Sequence, residues 1–392
     1  YEMRKGKTIL KDRCKYLVRR PTEIFLKDGE QPPAESKDAS EDLSQEELLK
    51  QPVHIPHRPK KDPRELKALD PACGSGHFLL YCFDLLQVIY EEAFDDPDLG
   101  AALRKDYPAL EDLRRAVPGL ILKCNLHGID IDLRATQIAA LALWLRCQRA
   151  YQEMDLKNGE RPQITRSNIV CAEPMPGEED IRREFVEGLD DKLGQLVSRI
   201  FNRMKLAGEA GSLLKIEVDI GAAIREIYGQ YGEMFRESDE QRWLKAEADL
   251  LAALRSYIQE TENGRGFRRK LFAEDAEQGF AFVDVCRKKY DVVLMNPPFG
   301  EFSAKGKVQI ADSYGPAKND IYGAFIKRGL ELLNAESFIG AITSRTWLSL
   351  SSFRKLREFL MDECSPQTVV DLGRDVLDGA NVQVCAFSLE KS

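Results

Sequence analysis

The chain has 392 residues, 43% of them hydrophobic, and sets 57 basic against 65 acidic side chains for a net charge of −8. That is enough apolar content for a large buried core, and the charge balance excludes a uniformly basic nucleic-acid-binding surface. No apolar run reaches the ~18 residues of a membrane span, no signal peptide opens the chain, and the nine cysteines form no C-x-x-C pair, so they read as small core side chains in a reducing cytoplasm with no metal expected.

In chain order, residues 1–66 read as an N-terminal extension. Within it, 27–50 is an acidic flexible loop, crowded with Asp, Glu, Ser and Pro. The basic runs 58–64 and 265–270 are either phosphate contacts or, because each has acids nearby, solvated surface patches. Leu69-Asp70-Pro71-Ala72-Cys73-Gly74-Ser75-Gly76-His77-Phe78-Leu79-Leu80 reads as a strand end, a loop of small residues and a helix running to about residue 90. Gly74 and Gly76 let backbone approach a ligand closely, and the absence of Lys-Ser/Thr after them excludes a phosphate-binding P-loop. A helical excursion over 94–118 follows.

A second strand ends at Asp130, where an acid typically accepts hydrogen bonds from ribose hydroxyls. Asp132 is placed to cap a helix over 133–150. The region 177–289 is mostly helical in pattern, with helices expected over 181–201, 213–237 and 241–261. Its alternating charges suggest an exposed hairpin or small bundle that clamps DNA, docks a partner or only braces the sheet.

Residues 290–295 read as a buried parallel strand ending in Asn296-Pro297-Pro298-Phe299. The prolines fix the turn and supply no N–H. Amide oxygen, carbonyl and ring are thereby held together in a form that suits a planar amine: two acceptors grip two N–H donors and the ring stacks below. A plain Pro-Pro turn is the other reading of these four residues. A helix over 319–333, a strand over 337–343, a helix over 353–360 and strands over 368–373 and 382–389 complete the chain.

The pair D-P-A-C-G-S-G-x-F-L and N-P-P-F, in that order, resembles the cofactor and catalytic motifs of adenine-specific DNA methyltransferases. With the stretches 1–4, 16–21, 54–64 and 169–176, essentially the whole chain resembles the PglX family, large methyltransferases of the bacterial BREX phage-defence system. The resemblance implies a Rossmann-like S-adenosylmethionine-dependent α/β fold, with a seven-stranded, mostly parallel sheet and a helical insertion between strands 3 and 4. The segments are then the extension 1–66, a cofactor half 67–176, the insertion 177–289 and a catalytic half 290–392. It implies S-adenosyl-L-methionine bound by Asp70, Ala72, Cys73, Gly74, Gly76 and Phe78, with Asp130 on the ribose hydroxyls, Ile131 packed on the cofactor adenine and Glu173 on that adenine's N6.

It further implies methyl transfer to the N6 amine of adenine in double-stranded DNA. The base flips out, Asn296 and the Pro297 carbonyl accept from the amine, Pro298 stiffens the turn and Phe299 stacks on the base. Where the family often has a second aromatic, this chain has Leu377. Partners implied are duplex DNA and other BREX proteins, with no membrane and no metal. A missing motif before the glycine loop and the lack of a C-terminal target-recognition region suggest a catalytic-domain fragment. Rival readings are an N-methyltransferase acting on RNA or protein glutamine, and a defence scaffold that binds cofactor and DNA without turnover.

Overall fold

The computed structural model describes residues 22–33, 44–164, 167–228, 239–259, 266–302, 311–318, 320–374, 376 and 382–392. Leu377, Asn319, Arg265 and residues 34–43 of the acidic loop lie outside them. Packing groups the chain into two units: residues up to Glu65 with 84–117, and 66–83 with 118–392.

In the first unit, β1 (Glu23–Phe25) pairs in parallel with β2 (Val53–Ile55). Residues 45–50, expected as loop, form the helix Gln45–Lys50. The reason is local: the Ser44 hydroxyl accepts from the Glu47 N–H (3.4 Å) while the Glu47 carboxylate accepts from the Ser44 N–H (2.9 Å), a reciprocal capping box. Much of the basic run 58–64 is spoken for. Lys60 lies 2.6 Å from Asp96 and 2.9 Å from Asp98, and Arg64 lies 2.6 Å from Asp62 and 2.5 Å from Asp106. Of the two readings of that run, a balanced surface patch fits better than a row of phosphate contacts.

The second unit is built on a seven-stranded mixed sheet in the order β5-β4-β3-β6-β7-β9-β8. Its strands are β3 (Ala68–Asp70), β4 (Leu126–Asp130), β5 (Asn168–Cys171), β6 (Tyr290–Met295), β7 (Leu333–Ser344), β8 (Cys364–Gly373) and β9 (Val384–Lys391). The β3–β4, β3–β6, β4–β5 and β6–β7 pairings are parallel. β9 is antiparallel to both of its neighbours, so one strand alone runs against the rest. The chain starts this sheet in the middle, at β3, builds outward through β4 and β5, then crosses back to β6 on the other side of β3. A crevice at the carboxyl ends of the strands is where such a reversal places a ligand.

Helices follow the strands as their sequences dictate. His77–Asp95 leaves the glycine loop and Leu133–Glu153 leaves β4, where the Asp132 carboxylate accepts from the Arg134 N–H at 2.8 Å as the expected cap. The helices of the insertion between β5 and β6 depart from their sequence reading, and residues 229–237 of the helix expected over 213–237 lie outside the described residues. The helix expected over 181–201 is two helices, Glu179–Glu187 and Asp191–Met204, because Asp190 turns out of helical geometry and caps the second through the Lys192 and Leu193 N–H groups. Residues 266–287 also form a long helix that the pattern did not reveal.

Nor is the insertion an exposed hairpin. Phe185, Phe201, Trp243, Phe272 and Phe280 are buried in one continuous core with Leu69 and Val293 of the sheet. Phe272 stacks on Phe201 with ring centroids 5.8 Å apart and meets Phe185 at 5.7 Å. Phe272→Ala is expected to cost about 3–5 kcal/mol, lowering the midpoint of a single thermal transition followed by circular dichroism. A separate early transition for the helical insertion, with the main transition unmoved, would contradict a shared core.

Candidate functional site

Four neighbouring strands deliver the predicted residues to one edge. In register, Asp70 stands opposite Gly128, two residues before Asp130, and Asp130 stands opposite Cys171, two residues before Glu173. Leu69 stands opposite Val293, so Asn296 leaves β6 three positions further on, beside the end of β3. Residues separated by 226 positions in sequence, Asp70 and Asn296, thus leave adjacent strands at the same edge.

The glycine loop is shaped by hydrogen bonds that reach across two strands. Gly74 (φ +50°) donates its N–H to one Asp130 oxygen at 2.8 Å, and Asp132 donates to the other at 3.0 Å. Each carboxylate oxygen keeps a further lone pair for a ligand hydroxyl. The Cys73 N–H donates to the Ile129 carbonyl at 2.9 Å, and the Gly76 N–H closes the turn on the Cys73 carbonyl at 2.8 Å. Gly76 (φ +84°) must be glycine twice over, since its backbone is left-handed and a Cβ there would stand 3.1 Å from the Ala139 Cβ. At Gly74, by contrast, no atom lies within 4 Å of where a side chain would begin, so the loop rim has room for a ligand.

The predicted cofactor residues do not stand alike. Asp70 is 1% exposed, and its carboxylate accepts from the Ala72 N–H at 3.1 Å, so it holds the loop from beneath rather than lining an open surface. Cys73 is buried, while Ala72 and Phe78 are half-buried. Ile131 is 52% exposed, an apolar side chain next to Asp130 that gains by being covered. Glu173 is exposed beyond β5. An acid for hydroxyls, an uncovered aliphatic face and a glycine rim fit a nucleoside cofactor.

Burial pushes the Asp70 carboxyl up to about 7; the Ala72 N–H opposes this, and the nearby Asp130 charge adds to it.

The Asn-Pro-Pro-Phe turn is clamped at its exit. Asn296 and Pro298 are exposed, Pro297 is buried and Phe299 is half-buried. The Gly300 N–H donates to the Asp320 carboxylate at 3.0 Å, and the Ile321 N–H donates to the Gly300 carbonyl at 2.9 Å. Asp320 also caps the helix Ile321–Leu332 through the Tyr322 N–H. The Phe299 ring meets Tyr322 edge-on (6.3 Å, 73°), Tyr322 stacks on Phe353 (5.5 Å), and the Tyr322 hydroxyl lies 2.9 Å from that of Thr346. In the sequence, Asn319-Asp320 opens a capped amphipathic helix and Phe353 opens the next, and no contact with Gly300 or Tyr322 is expected of them. Asp ahead of an apolar helix was a readable cap signal; the contact of Phe353 with Tyr322 has no local signature. Among the described residues, no group of three or more His, Cys, Asp or Glu side chains is placed to hold a metal, and no helix is long and apolar enough to cross a membrane.

Fold and site together define an α/β protein with a glycine-loop ligand crevice beside an Asn-Pro-Pro-Phe turn. Residues 124–376 match the model of the Eco57I restriction-modification methylase family, and residues 58–174 match the DNA-methyltransferase domain of MmeI. The chain belongs to the Eco57I restriction-modification methylase family. It is 26% identical over 357 residues to the adenine-specific methyltransferase BrxX of Escherichia coli O9:H4 (strain HS), covering 84% of this chain and 26% of that protein. It is 25% identical over 346 residues to the adenine-specific methyltransferase PglX of Lacticaseibacillus casei (strain Zhang), covering 85% and 24%.

These relatives bear out the PglX-family resemblance, and the chain spans about a quarter of their length. A solved structure of the ATP-dependent Type ISP restriction-modification enzyme LlaBIII bound to DNA superposes with a TM-score of 0.41 and 13% identity, over 84% of this chain and 17% of that one. Membership of a methylase family supports S-adenosylmethionine as the cofactor.

The Asp70 carboxyl gives a pH test. Its value of about 7 in the fold lies above the ordinary 3.8, so the fold favours the protonated form. That stabilisation is full below the unfolded value, declines as pH rises through the interval and is gone above the folded value. Asp70→Asn keeps an acceptor for Ala72 and cannot ionise. Its melting temperature relative to the unaltered protein is expected to rise between about pH 4 and about pH 7 and to level off above that. A difference that stays constant across that range would rule out a buried neutral acid.

Proposed function

We propose that this chain transfers a methyl group from S-adenosylmethionine to the N6 amine of adenine in double-stranded DNA, on a Rossmann-like cofactor-binding sheet, as part of bacterial phage defence. The observation that carries the reading is the exposed Asn296, followed by a braced aromatic, on the strand next to the glycine loop. Adenine specificity is supported by the names of BrxX and PglX, and duplex DNA as substrate by the family's restriction-modification character.

The residues divide the work. Asp130 accepts from ribose hydroxyls, Ile131 lies against the cofactor's base, Glu173 accepts from that base's amine, and Asp70, Ala72, Cys73, Gly74, Gly76 and Phe78 form the loop that receives the rest. When bound, the cofactor supplies an electrophilic methyl on sulfur. An aromatic amine is a weak nucleophile because its lone pair is conjugated into the ring. The Asn296 amide oxygen and the Pro297 carbonyl accept its two N–H groups, draw them out of plane and aim the lone pair. Positioning and fixed dipoles then do the rest. Pro298 keeps the two acceptors in place without offering a competing donor. The base reaches this turn only when flipped from the duplex, and Phe299 offsets part of the lost stacking. Its ring is held edge-on by Tyr322, so little is lost in ordering it.

Arg268 and Arg269 face Asp180 and Glu184, as Lys60 and Arg64 face acids in the first unit. Of these, the exposed Arg268–Asp180 pair contributes little to stability.

Labelled S-adenosylmethionine is to be incubated with the chain and native duplex DNA, RNA or protein. The expected outcome is label in DNA adenine that falls about 100- to 1,000-fold in Asn296→Ala, the size of losing one transition-state contact, with cofactor affinity unchanged by calorimetry. Label confined to RNA or protein would sink the reading, and cofactor binding without transfer to any acceptor would favour a scaffold. Phe299→Ala is expected to reduce kcat/KM for DNA on the order of 10- to 100-fold through lost base stacking, again at unchanged cofactor affinity. An equal loss of cofactor affinity would move Phe299 out of the target pocket.

A further inference from the structure

One short segment of the insertion touches both halves of the site. At Gly211–Leu213 the chain makes a single tight turn. Ser212, 1% exposed, donates its hydroxyl to the carbonyl of Pro71 at 2.8 Å, inside the glycine loop. The carbonyl of the same Ser212 accepts from the Arg328 Nε at 2.7 Å. Arg328 is also 1% exposed, and its two terminal nitrogens grip the Glu217 carboxylate at 2.6 and 2.9 Å.

Arg328 belongs to the helix Ile321–Leu332, whose capping residue Asp320 holds the Gly300 N–H at the exit of the Asn-Pro-Pro-Phe turn. The path from Pro71 to Gly300 is thus a few hydrogen bonds and one helix. The segment also reaches the cofactor side directly: a Cβ on Gly211 (φ +54°) would stand 2.8 Å from Ile131.

A brace alone would not need these groups. Burying the Arg328 guanidinium is costly in desolvation even with the half-buried Glu217 as its partner, and an apolar side chain of the same volume often serves stability as well or better. What a bidentate pair adds is a fixed geometry. Here it fixes the carbonyl of Ser212, whose hydroxyl fixes the loop.

We propose that Ser212 is a positioning residue that couples the cofactor loop to the catalytic turn, through Arg328 and Glu217, so that filling the loop orders the turn. The proposal rests on the methyltransferase reading above. It assigns the insertion a part in the reaction cycle that needs no contact between it and DNA. Coupling of this kind is a free energy shared between two sites, so it is measurable from either side.

The test is hydrogen exchange with and without S-adenosylhomocysteine, which fills the loop without reacting. In the unaltered protein, ligand is expected to slow exchange at both the glycine loop and the segment containing Gly300 and residues 321–323. In Ser212→Ala, which removes only the donor to Pro71, affinity is expected to fall about 2- to 10-fold, the size of one hydrogen bond. Protection by saturating ligand should then remain at the loop and vanish at the turn. Arg328→Lys, which keeps a charge for Glu217 but loses the fork, is expected to give the same split.

A merely structural role would lower the melting temperature of both variants yet leave ligand protection at the turn intact, which would overturn the proposal. So would an unaltered protein that binds S-adenosylhomocysteine and protects only the loop. No binding by the unaltered protein would instead overturn the methyltransferase reading itself.

Discussion

The hydrogen bond from the Gly74 N–H to the Asp130 carboxylate is the contact on which the rest of the site depends. It joins the loop after β3 to the end of β4, and it forms only because those strands are parallel neighbours ending at one edge. The reversal of strand order at β3 then brings β6 to the other flank, so that Asn296 emerges beside the loop rather than across the molecule. Any connection that left β6 on the far side of β5 would keep every local motif intact and destroy the site.

Around that edge the protein uses rigidity of two kinds. The glycine loop is held by backbone donors and by Asp70 from below, with an open rim at Gly74. The Asn-Pro-Pro-Phe turn is held by prolines, by the Asp320 clamp and by the run of rings from Phe299 through Tyr322 to Phe353. At the turn Asn296 is exposed and Pro297 buried; at the loop Asp130 is half-buried and Asp70 buried. The insertion completes the arrangement. Its aromatic core is continuous with the sheet, and its tight turn at Ser212 is bonded to both sides of the crevice. The net acidity of the chain is consistent with this plan, because many of its basic side chains serve intramolecular ion pairs.

Much of this is legible in the sequence. Asp132 announces its helix because a cap is a local device, and Asn296 announces itself because a strand, two prolines and an aromatic lie in one run of sequence. Short apolar runs mark the strands of the sheet, and the family resemblance implies the insertion between the third and fourth of them, which are β5 and β6 here. What was hidden is long-range or reciprocal. Ser212 finds Pro71 across 141 positions, and Arg328 finds Glu217 across 111, with nothing near either to signal the pairing. The helix Gly266–Arg287 escaped because its apolar residues spread around the cylinder, as suits a helix buried on several sides. The capping box at Ser44 and Glu47 was readable, but the acidic composition around it argued for loop instead.

The central claim is that the Asn296–Phe299 turn methylates an amine of adenine. The most direct measurement is nucleoside mass spectrometry of duplex DNA treated with this chain and S-adenosylmethionine carrying a deuterated methyl group. The account predicts the deuterated methyl on N6 of deoxyadenosine and on no other nucleoside. Its appearance on N4 of deoxycytidine instead, or on no nucleoside while it accumulates on protein, would contradict it.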